Sequence, residues 1–276
     1  MQRVIGEFGG RYEFLDLPDP AEILMDGIKW GSFEHPLTPA FWVSQAWASG
    51  TPELGAFELG KSLVEEVVYC LLGGYGTPAE VGIAAAQSVC KLLLHTANSR
   101  IRADHLEKVL TEPLSIGGRL VRYRFAAQRA KYLSRALERL SDIDEVALTD
   151  IALRDALRDL PGVGPKTASW IVRNRRASDT VAIIDVHITR ACRIMTVFPM
   201  RLDPARHYFE LERRFLSFCS ASGTPASAMD AVMWGTMRTI SKKFMQQLVD
   251  GSHKLREASE NCIPEDSNVG IGRRAG

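Results

Sequence analysis

The stretch LRDLPGVGPKTASWIVRN, residues 157–174, decides the fold. Its apolar spacing predicts that one helix ends near Leu160 and that a second helix begins at Pro165, since proline is favoured in the first turn of a helix. The residues between the helices form a tight turn, in which Gly162 and Gly164 permit backbone conformations that other residues avoid. The stretch therefore predicts two helices joined by a short glycine-rich hairpin.

This hairpin is suited to bind a phosphate group. The first N–H groups of a helix have no partner within the helix, and the helix dipole favours an anion beside them. The two glycines also keep Cβ atoms away from an approaching ligand. We therefore predict that Gly162, Val163, Gly164 and Thr167 contact a DNA backbone, with His187 as a further contact. An ordinary corner between two helices is the alternative.

Lys166 and Asp185 are the predicted catalytic pair. Lys166 stands in the first turn of its helix, where the dipole disfavours the ammonium ion and favours the neutral, nucleophilic amine. A simple phosphate contact would also explain its position. Asp185 ends the extended segment TVAIID and precedes a helical pattern, so it is a predicted N-cap. Because the chain turns back between the two residues, we expect both side chains to face one cleft.

LPGVGPKTA, followed by an apolar run and IIDVH, resembles the helix-hairpin-helix and Asp signature of the base-excision DNA glycosylase superfamily. The match covers roughly residues 60–245. It implies a mainly α, two-lobed fold with the helix-hairpin-helix at 149–174 and the active site between the lobes. It also implies the bifunctional branch, in which Lys166 attacks the sugar C1′ with help from Asp185 and the strand is then cut by β-elimination. The implied partner is double-stranded DNA carrying a damaged or modified base.

Two further stretches resemble the 8-oxoguanine glycosylases within that superfamily. One is GRLVRYRFAAQRAKYLSRA, and the other is PASAMDAVMWGTM, which resembles the late helix that holds the extruded base. Asp230 and Trp234 are four residues apart and share one helix face. The resemblance implies that Trp234 stacks on the base and that Asp230 reads its edge, where eukaryotic-type enzymes have glutamine. A surface aspartate and a core tryptophan are the alternatives.

The aspartate at this position indicates a guanine-type base. A carboxylate only accepts hydrogen bonds, and the Watson–Crick edge of guanine presents two adjacent donors, whereas the N1 lone pair of adenine would be repelled. The second wall of the pocket has several candidates among the N-terminal residues. The loop GGYGTP departs from the family's usual polar motif, and its tyrosine is a candidate to fill the gap that extrusion leaves. The candidates for the wall are Trp30, Trp42, Gln45 and Trp47, and the candidate for the gap is Tyr75.

Composition narrows the class of protein without naming a ligand. The chain has 276 residues, 46% of them hydrophobic and 24% charged, and a net charge of +1. No apolar stretch is long enough to span a membrane and the first residues have no signal-peptide core, so we expect an intracellular protein. Five scattered cysteines without a CxxC pair indicate neither a zinc site nor an iron–sulfur cluster, so we expect no metal and no cofactor. Basic residues cluster at 119–139 and 173–176, and each cluster is either a DNA contact or a solvated helix face.

The chain divides into three parts. Residues 1–56 are rich in turn formers and aromatics, and Gly9-Gly10 separates two alternating stretches that are typical of a short β hairpin. Residues 57–250 form the predicted helical core, and the polar, aperiodic residues 251–276 form a predicted flexible tail. Within the core we predict helices at 57–72, 78–94 with Thr77 as cap, 104–111, 126–140 and 149–159.

Three functions are consistent with this sequence. The first is a glycosylase and lyase for an oxidised guanine such as 8-oxoguanine. The second is a glycosylase for another modified base, because the same hairpin would serve it. The third is a non-catalytic DNA-binding module that uses the hairpin as a phosphate clamp, and the presence of both Lys166 and Asp185 argues against it.

Overall fold

A computed structural model describes residues 1–50, 57–74, 76–94 and 101–240, and residues 1–237 form one compact unit. Within these ranges there are ten helices and three small antiparallel hairpins. The strands are β1 Gln2–Phe8, β2 Arg11–Leu17, β3 Ile23–Met25, β4 Ile28–Lys29, β5 Leu114–Ile116 and β6 Arg119–Val121. The helices are α1 Pro39–Ser49, α2 Leu63–Leu72, α3 Ala79–Leu94, α4 Ala103–Thr111, α5 Ala126–Leu140, α6 Asp150–Arg158, α7 Pro165–Arg176, α8 Val186–Ile194, α9 Tyr208–Ser222 and α10 Ala226–Met237.

The predicted N-terminal hairpin is confirmed. β1 pairs with β2 so that Phe8 faces Arg11 across a two-residue turn. Gly9 and Gly10 in this turn have φ angles of 56° and 80°, which is the conformation that two-residue hairpins favour and that glycine adopts without strain. One side of the hairpin packs on α1, where the rings of Phe8 and Trp47 meet edge to face at 4.9 Å.

The middle of the chain builds one lobe. Helices α2 to α7 share a continuous apolar core, which also includes Val181 just after α7. Neighbouring helices in sequence pack as pairs, α2 with α3, α4 with α5, and α6 with α7. Fully buried side chains from every one of these helices fill the core, among them Val67, Leu71, Ala86, Leu106, Leu133, Leu153 and Ile171.

The two ends of the chain together build the other lobe. Helix α1 packs against α10, and α10 also contacts α8 and α9. The buried side chains here include Trp42, Phe198, Phe215, Phe218, Met229 and Met233. The mainly helical fold with a small N-terminal β element is therefore as predicted.

One predicted helix boundary is wrong. Helix α2 begins at Leu63 and not at Phe57, because the Ser62 hydroxyl accepts the Glu65 N–H and caps the helix there. The Glu66 carboxylate stabilises the turn that precedes the helix. Its Oε2 accepts the backbone N–H groups of Leu59 and Gly60 at 2.9 Å each.

The predicted cap of the next helix is also wrong. The Thr77 hydroxyl is buried without a hydrogen-bond partner among the described residues. The carbonyl of Pro78 instead accepts the N–H groups of Val81 and Gly82 as α3 begins. The other predicted helices agree with the structure to within one residue at each end.

The helix-hairpin-helix has the predicted form. α6 begins after Thr149, whose hydroxyl accepts the Ala152 N–H, and α7 begins at Pro165. Gly162 has a φ of 82°, and a Cβ added there would lie 2.8 Å from the ring of Tyr132 on α5. Glycine is therefore required at 162 by the protein's own packing and not by room for a ligand. At Gly164, by contrast, an added Cβ would meet no described atom within 4 Å.

Alanine substitutions at these two glycines should lower stability by different amounts. Gly162→Ala should lower the free energy of unfolding by about 1–3 kcal/mol, because alanine is strained at positive φ and would overlap Tyr132. Gly164→Ala is the matched control and should cost less than about 1 kcal/mol, because its φ is negative and its surroundings are open. Urea unfolding of both variants measures the difference, and equal losses would contradict this account of the turn.

Candidate active site and DNA-binding hairpin

Lys166 is half-buried in the first turn of α7. Its Nζ lies 5.9 Å from the centroid of the Trp170 ring, one turn further along the same helix. On the other side, a Cβ added to Gly74 would lie 3.8 Å from Nζ, and a Cβ added to Gly73 would lie 3.3 Å from the Trp170 ring. The lysine is therefore held between α7 and the glycine loop that follows α2.

Asp185 is the N-cap of α8, as predicted. Its Oδ1 accepts the N–H groups of His187 at 2.7 Å and Ile188 at 2.9 Å. These bonds satisfy two of the orphan donors at the start of the helix and fix the orientation of the carboxylate. Oδ2 takes part in neither bond. Asp185 is half-buried, so its carboxylate is both oriented by the protein and accessible from one side.

Asp230 and Arg173 form a buried ion pair. Asp230 is only 2% exposed, and its Oδ2 lies 3.0 Å from the Arg173 Nε, although not in hydrogen-bond geometry. Burial raises the pKa of Asp230 to about 6; the Arg173 charge opposes this rise, and the Asp185 charge adds to it. The Asp185 charge therefore acts on this ion pair electrostatically.

Lys166, Trp170 and Arg173 share one face of helix α7. They recur at helical spacing, and Arg173 pairs with Asp230 on α10. No sequence motif indicated Trp170, and Arg173 stood out only as part of a basic run. The signal that was available was their spacing of four and seven residues from Lys166.

The predicted base-pocket residues lie on α10, one turn apart. The Asp230 carboxylate faces Arg173, and Trp234 is 40% exposed. Of the candidates for the second wall, Trp30 and Trp42 are buried core residues, Trp47 packs against the N-terminal hairpin and Gln45 is exposed. Tyr75 lies outside the described residues.

The hairpin presents an open helix start. The first backbone hydrogen bond of α7 joins the Ala168 N–H to the Gly164 carbonyl, so the N–H groups of Lys166 and Thr167 precede the helical ladder. Val163 is different, because its side chain is buried and its N–H donates to the Leu160 carbonyl within the turn. Gly164 and Thr167 are therefore well placed for a phosphate, whereas Val163 contributes to the turn itself.

One of the two basic clusters is not a candidate DNA surface. The three arginines near the end of α7 are each paired with a carboxylate of the protein, so their charges are already compensated. The pairs are Arg173 with Asp230, Arg175 with Glu145 and Glu58, and Arg176 with Asp150. The cluster at β6 and α5 is largely exposed and includes Arg119, Arg122, Arg124, Lys131 and Arg135.

His187 is half-buried at the start of α8, and its Nδ1 has no hydrogen-bond partner among the described residues. The four described cysteines are free thiols, and burial raises the pKa of Cys70, Cys192 and Cys219. Within the described ranges, no group of three or more histidine, cysteine or acidic side chains could hold a metal ion. No helix in the same ranges combines the length and apolarity needed to cross a bilayer.

Comparison with known proteins identifies the same kind of protein. A family model described as 8-oxoguanine DNA glycosylase matches residues 53–224. The 8-oxoguanine DNA glycosylase/AP lyase of Fusobacterium nucleatum is 24% identical over 200 residues, which cover 68% of this chain and 82% of that protein.

Solved structures agree in fold. The 8-oxoguanine DNA glycosylase of Methanocaldococcus jannaschii has a TM-score of 0.55 and 25% identity, and the match covers 76% of this chain and 98% of that chain. Its complex with a 15mer DNA containing 8-oxoguanine has a TM-score of 0.51 and 25% identity, and covers 72% and 89%.

The open hairpin, with a lysine at the helix start and a capping aspartate after it, defines a helix-hairpin-helix DNA glycosylase. The family match covers more than half of the chain and contains Lys166 and Asp185. The chain belongs to the 8-oxoguanine DNA glycosylase family, as its sequence motifs predicted. Asp230 and Trp234 lie beyond the matched residues.

The buried Asp230 predicts a specific dependence of stability on pH. Its pKa is higher in the folded protein than the ordinary value of 3.8, so the folded state binds this proton more tightly than the unfolded chain. Its favourable contribution is therefore fully present below pH 3.8 and is lost as the pH rises towards about 6. The Asp230→Asn variant has no carboxyl group at this position, so its stability lacks this dependence on pH. In urea unfolding, the wild type should lose stability relative to Asp230→Asn across that interval, and a constant difference would contradict the assignment.

Proposed function

We propose that this protein excises 8-oxoguanine, or a closely related oxidised guanine, from double-stranded DNA and then cuts the strand at the abasic site. The observation that carries the proposal is the position of Lys166. It stands at an open helix start suited to a DNA phosphate, on the same helix face as Arg173, which pairs with Asp230, and inside the family match. We infer the substrate from the relatives, whose names specify 8-oxoguanine.

Lys166 is the proposed nucleophile. Its neutral amine forms a bond to C1′ of the sugar while the bond from C1′ to the base breaks, and the electron pair of that bond leaves with the base. The lysine nitrogen then loses a proton and the sugar ring opens, which leaves a Schiff base. Loss of a C2′ proton from this Schiff base expels the 3′ phosphate and cuts the strand.

Asp185 is the proposed electrostatic partner. A negative charge near C1′ stabilises the cationic character that the sugar acquires as the base departs. The carboxylate also helps to remove the proton from the lysine nitrogen. Its capping bonds use Oδ1, so they hold the side chain in place while Oδ2 is free to face the sugar or the amine.

The hairpin and α10 are the proposed contacts to the substrate. Gly162, Gly164 and Thr167 form the phosphate-binding start of α7, to which Val163 contributes through the shape of the turn, and His187 is a further backbone contact. Trp234 stacks on the extruded base from α10. The cost of extrusion is a few kcal/mol and is lowest for a damaged base.

Asp230 is proposed to recognise the Watson–Crick edge of the guanine, which requires a change in its side-chain orientation. Its carboxylate faces Arg173 in this structure, so direct contact with a base requires it to turn away from that partner. If it reads the base, Asp230→Asn changes which base is released. If it serves only as the counter-charge of Arg173, the base preference stays the same.

Trapping with borohydride tests the nucleophile. Reduction of the Schiff base should link the wild-type protein covalently to a duplex that contains one 8-oxoguanine. Lys166→Ala should abolish this adduct while it still binds the duplex, and Lys108→Ala, an exposed lysine on α4, is the matched control. An adduct that persists in Lys166→Ala would remove this residue from the mechanism.

A panel of duplexes separates the competing functions. A covalent adduct with a duplex that contains another modified base, and none with the 8-oxoguanine duplex, would favour a glycosylase with a different substrate. Binding of all duplexes without any adduct or strand cleavage would favour a non-catalytic DNA-binding module.

The role of Asp185 can be separated from its role as a cap. Asparagine caps a helix about as well as aspartate, so Asp185→Asn should leave the melting temperature nearly unchanged. It should nevertheless lower the single-turnover rate of base release by about 10²–10⁴-fold, because the charge is lost. A rate within a factor of about three of the wild type would show that Asp185 acts only as a cap.

A further inference from the structure

We propose that Glu212 and Tyr208, one turn apart on α9, are positioning residues that fix the location of Lys166 relative to Asp185. The inference rests on the proposed function, since it assigns to these two side chains the alignment of its catalytic pair. Neither residue belongs to a motif that the sequence analysis identified. Both are buried, and they contact the two chain segments that carry the catalytic side chains.

The buried backbone of the segment that leads to Asp185 requires hydrogen-bond partners. Residues 181–184 are buried, yet they belong to none of the sheets in the described structure. Buried backbone N–H and C=O groups must find hydrogen-bond partners, and outside a sheet or helix these partners must be side chains or water. Whatever satisfies this segment also determines where Asp185 stands at its end.

Tyr208 and Glu212 satisfy this requirement. The Tyr208 hydroxyl donates to the Ala182 carbonyl at 2.8 Å and accepts the Ile184 N–H at 3.3 Å. Glu212 Oε1 accepts the Ala182 N–H at 3.0 Å. Burial raises the pKa of Tyr208, which keeps its hydroxyl protonated as a donor. Three polar backbone groups just ahead of Asp185 are therefore bonded to α9.

The same carboxylate also holds the helix of Lys166. Ser169, fully buried and less than one turn after Lys166 on α7, donates its hydroxyl to Glu212 Oε1 at 3.0 Å. The other oxygen, Oε2, accepts from Arg154 Nη1 at 2.6 Å, which fixes the orientation of the carboxylate. One oxygen atom thus joins α7 to the segment that ends at Asp185.

A shared oxygen prevents the two catalytic elements from shifting independently. Displacements of about 1 Å between reacting groups cost on the order of 10²-fold in rate. Ser169→Ala removes the bond to α7 and leaves the bonds of Glu212 to Ala182 and Arg154 in place. It therefore tests the link itself and not the presence of a buried carboxylate.

Single-turnover release of 8-oxoguanine provides the measurement. Ser169→Ala should lower the rate constant on the order of 10-fold, with DNA affinity and the amplitude of the reaction unchanged. The matched control is Ser134→Ala on α5, which also loses one hydroxyl hydrogen bond, to the Ile101 carbonyl. It should react within a factor of about two of the wild type.

The rate constant distinguishes positioning from a general structural role. A variant that is merely less stable has fewer folded molecules, so its amplitude falls while its rate constant stays that of the wild type. That result for Ser169→Ala, or a rate constant equal to that of Ser134→Ala, would overturn the inference. A wild type that releases no base would instead overturn the proposed function.

Hydrogen exchange tests the inference without any chemistry. Tyr208→Phe keeps the ring but loses both bonds to the segment. The Ile184 N–H then has no acceptor on α9, so its amide should exchange faster than in the wild type. Ser134→Ala should leave this exchange unchanged. Unchanged exchange in Tyr208→Phe would show that α9 does not hold the segment, whether or not the protein cleaves DNA.

Discussion

The site depends on two buried carboxylates that bind α7, one from α2 and one from α9. Glu66 on α2 accepts the Asn174 side-chain amide at 2.6 Å, and Glu212 on α9 accepts the Ser169 hydroxyl at 3.0 Å. The first belongs to the lobe formed by the middle of the chain, and the second to the lobe formed by its ends. A buried carboxylate is costly unless every lone pair is satisfied, so both side chains strongly favour one placement of α7.

Charge near the active site is distributed over several residues instead of being concentrated in one ion pair. Arg173 lies 4.3 Å from the ring centroid of Phe57 and beside Asp230, which in turn is close enough to Asp185 to be affected by its charge. In a low-dielectric interior such charges interact strongly. The Asp185 carboxylate, the proposed electrostatic partner, is therefore influenced by charges that the fold provides.

The hairpin illustrates how one short stretch can serve both packing and ligand binding. Gly162 is required because the ring of Tyr132 occupies the space of its Cβ, whereas the space beside Gly164 is open. Val163, between them, is buried in the core of the middle lobe. The turn therefore packs on the protein through Gly162 and Val163 and leaves the space beside Gly164 open at the start of α7.

The sequence by itself determined the elements whose causes are local. Helix periodicity, proline at the start of α7 and the capping capacity of Asp185 depend on neighbouring residues, so the hairpin and the N-cap were predictable. The N-terminal hairpin was predictable for the same reason, since Gly9-Gly10 specifies its turn.

Only the tertiary structure decided which distant residues meet. Nothing local indicates that α1 packs on α10, that Asp230 pairs with Arg173, or that Glu212 bonds both Ser169 and Ala182. Such pairs form because buried polar groups must be satisfied wherever the fold brings them together. The same cause explains why the arginines at the end of α7, which read as a basic surface in the sequence, are paired within the protein.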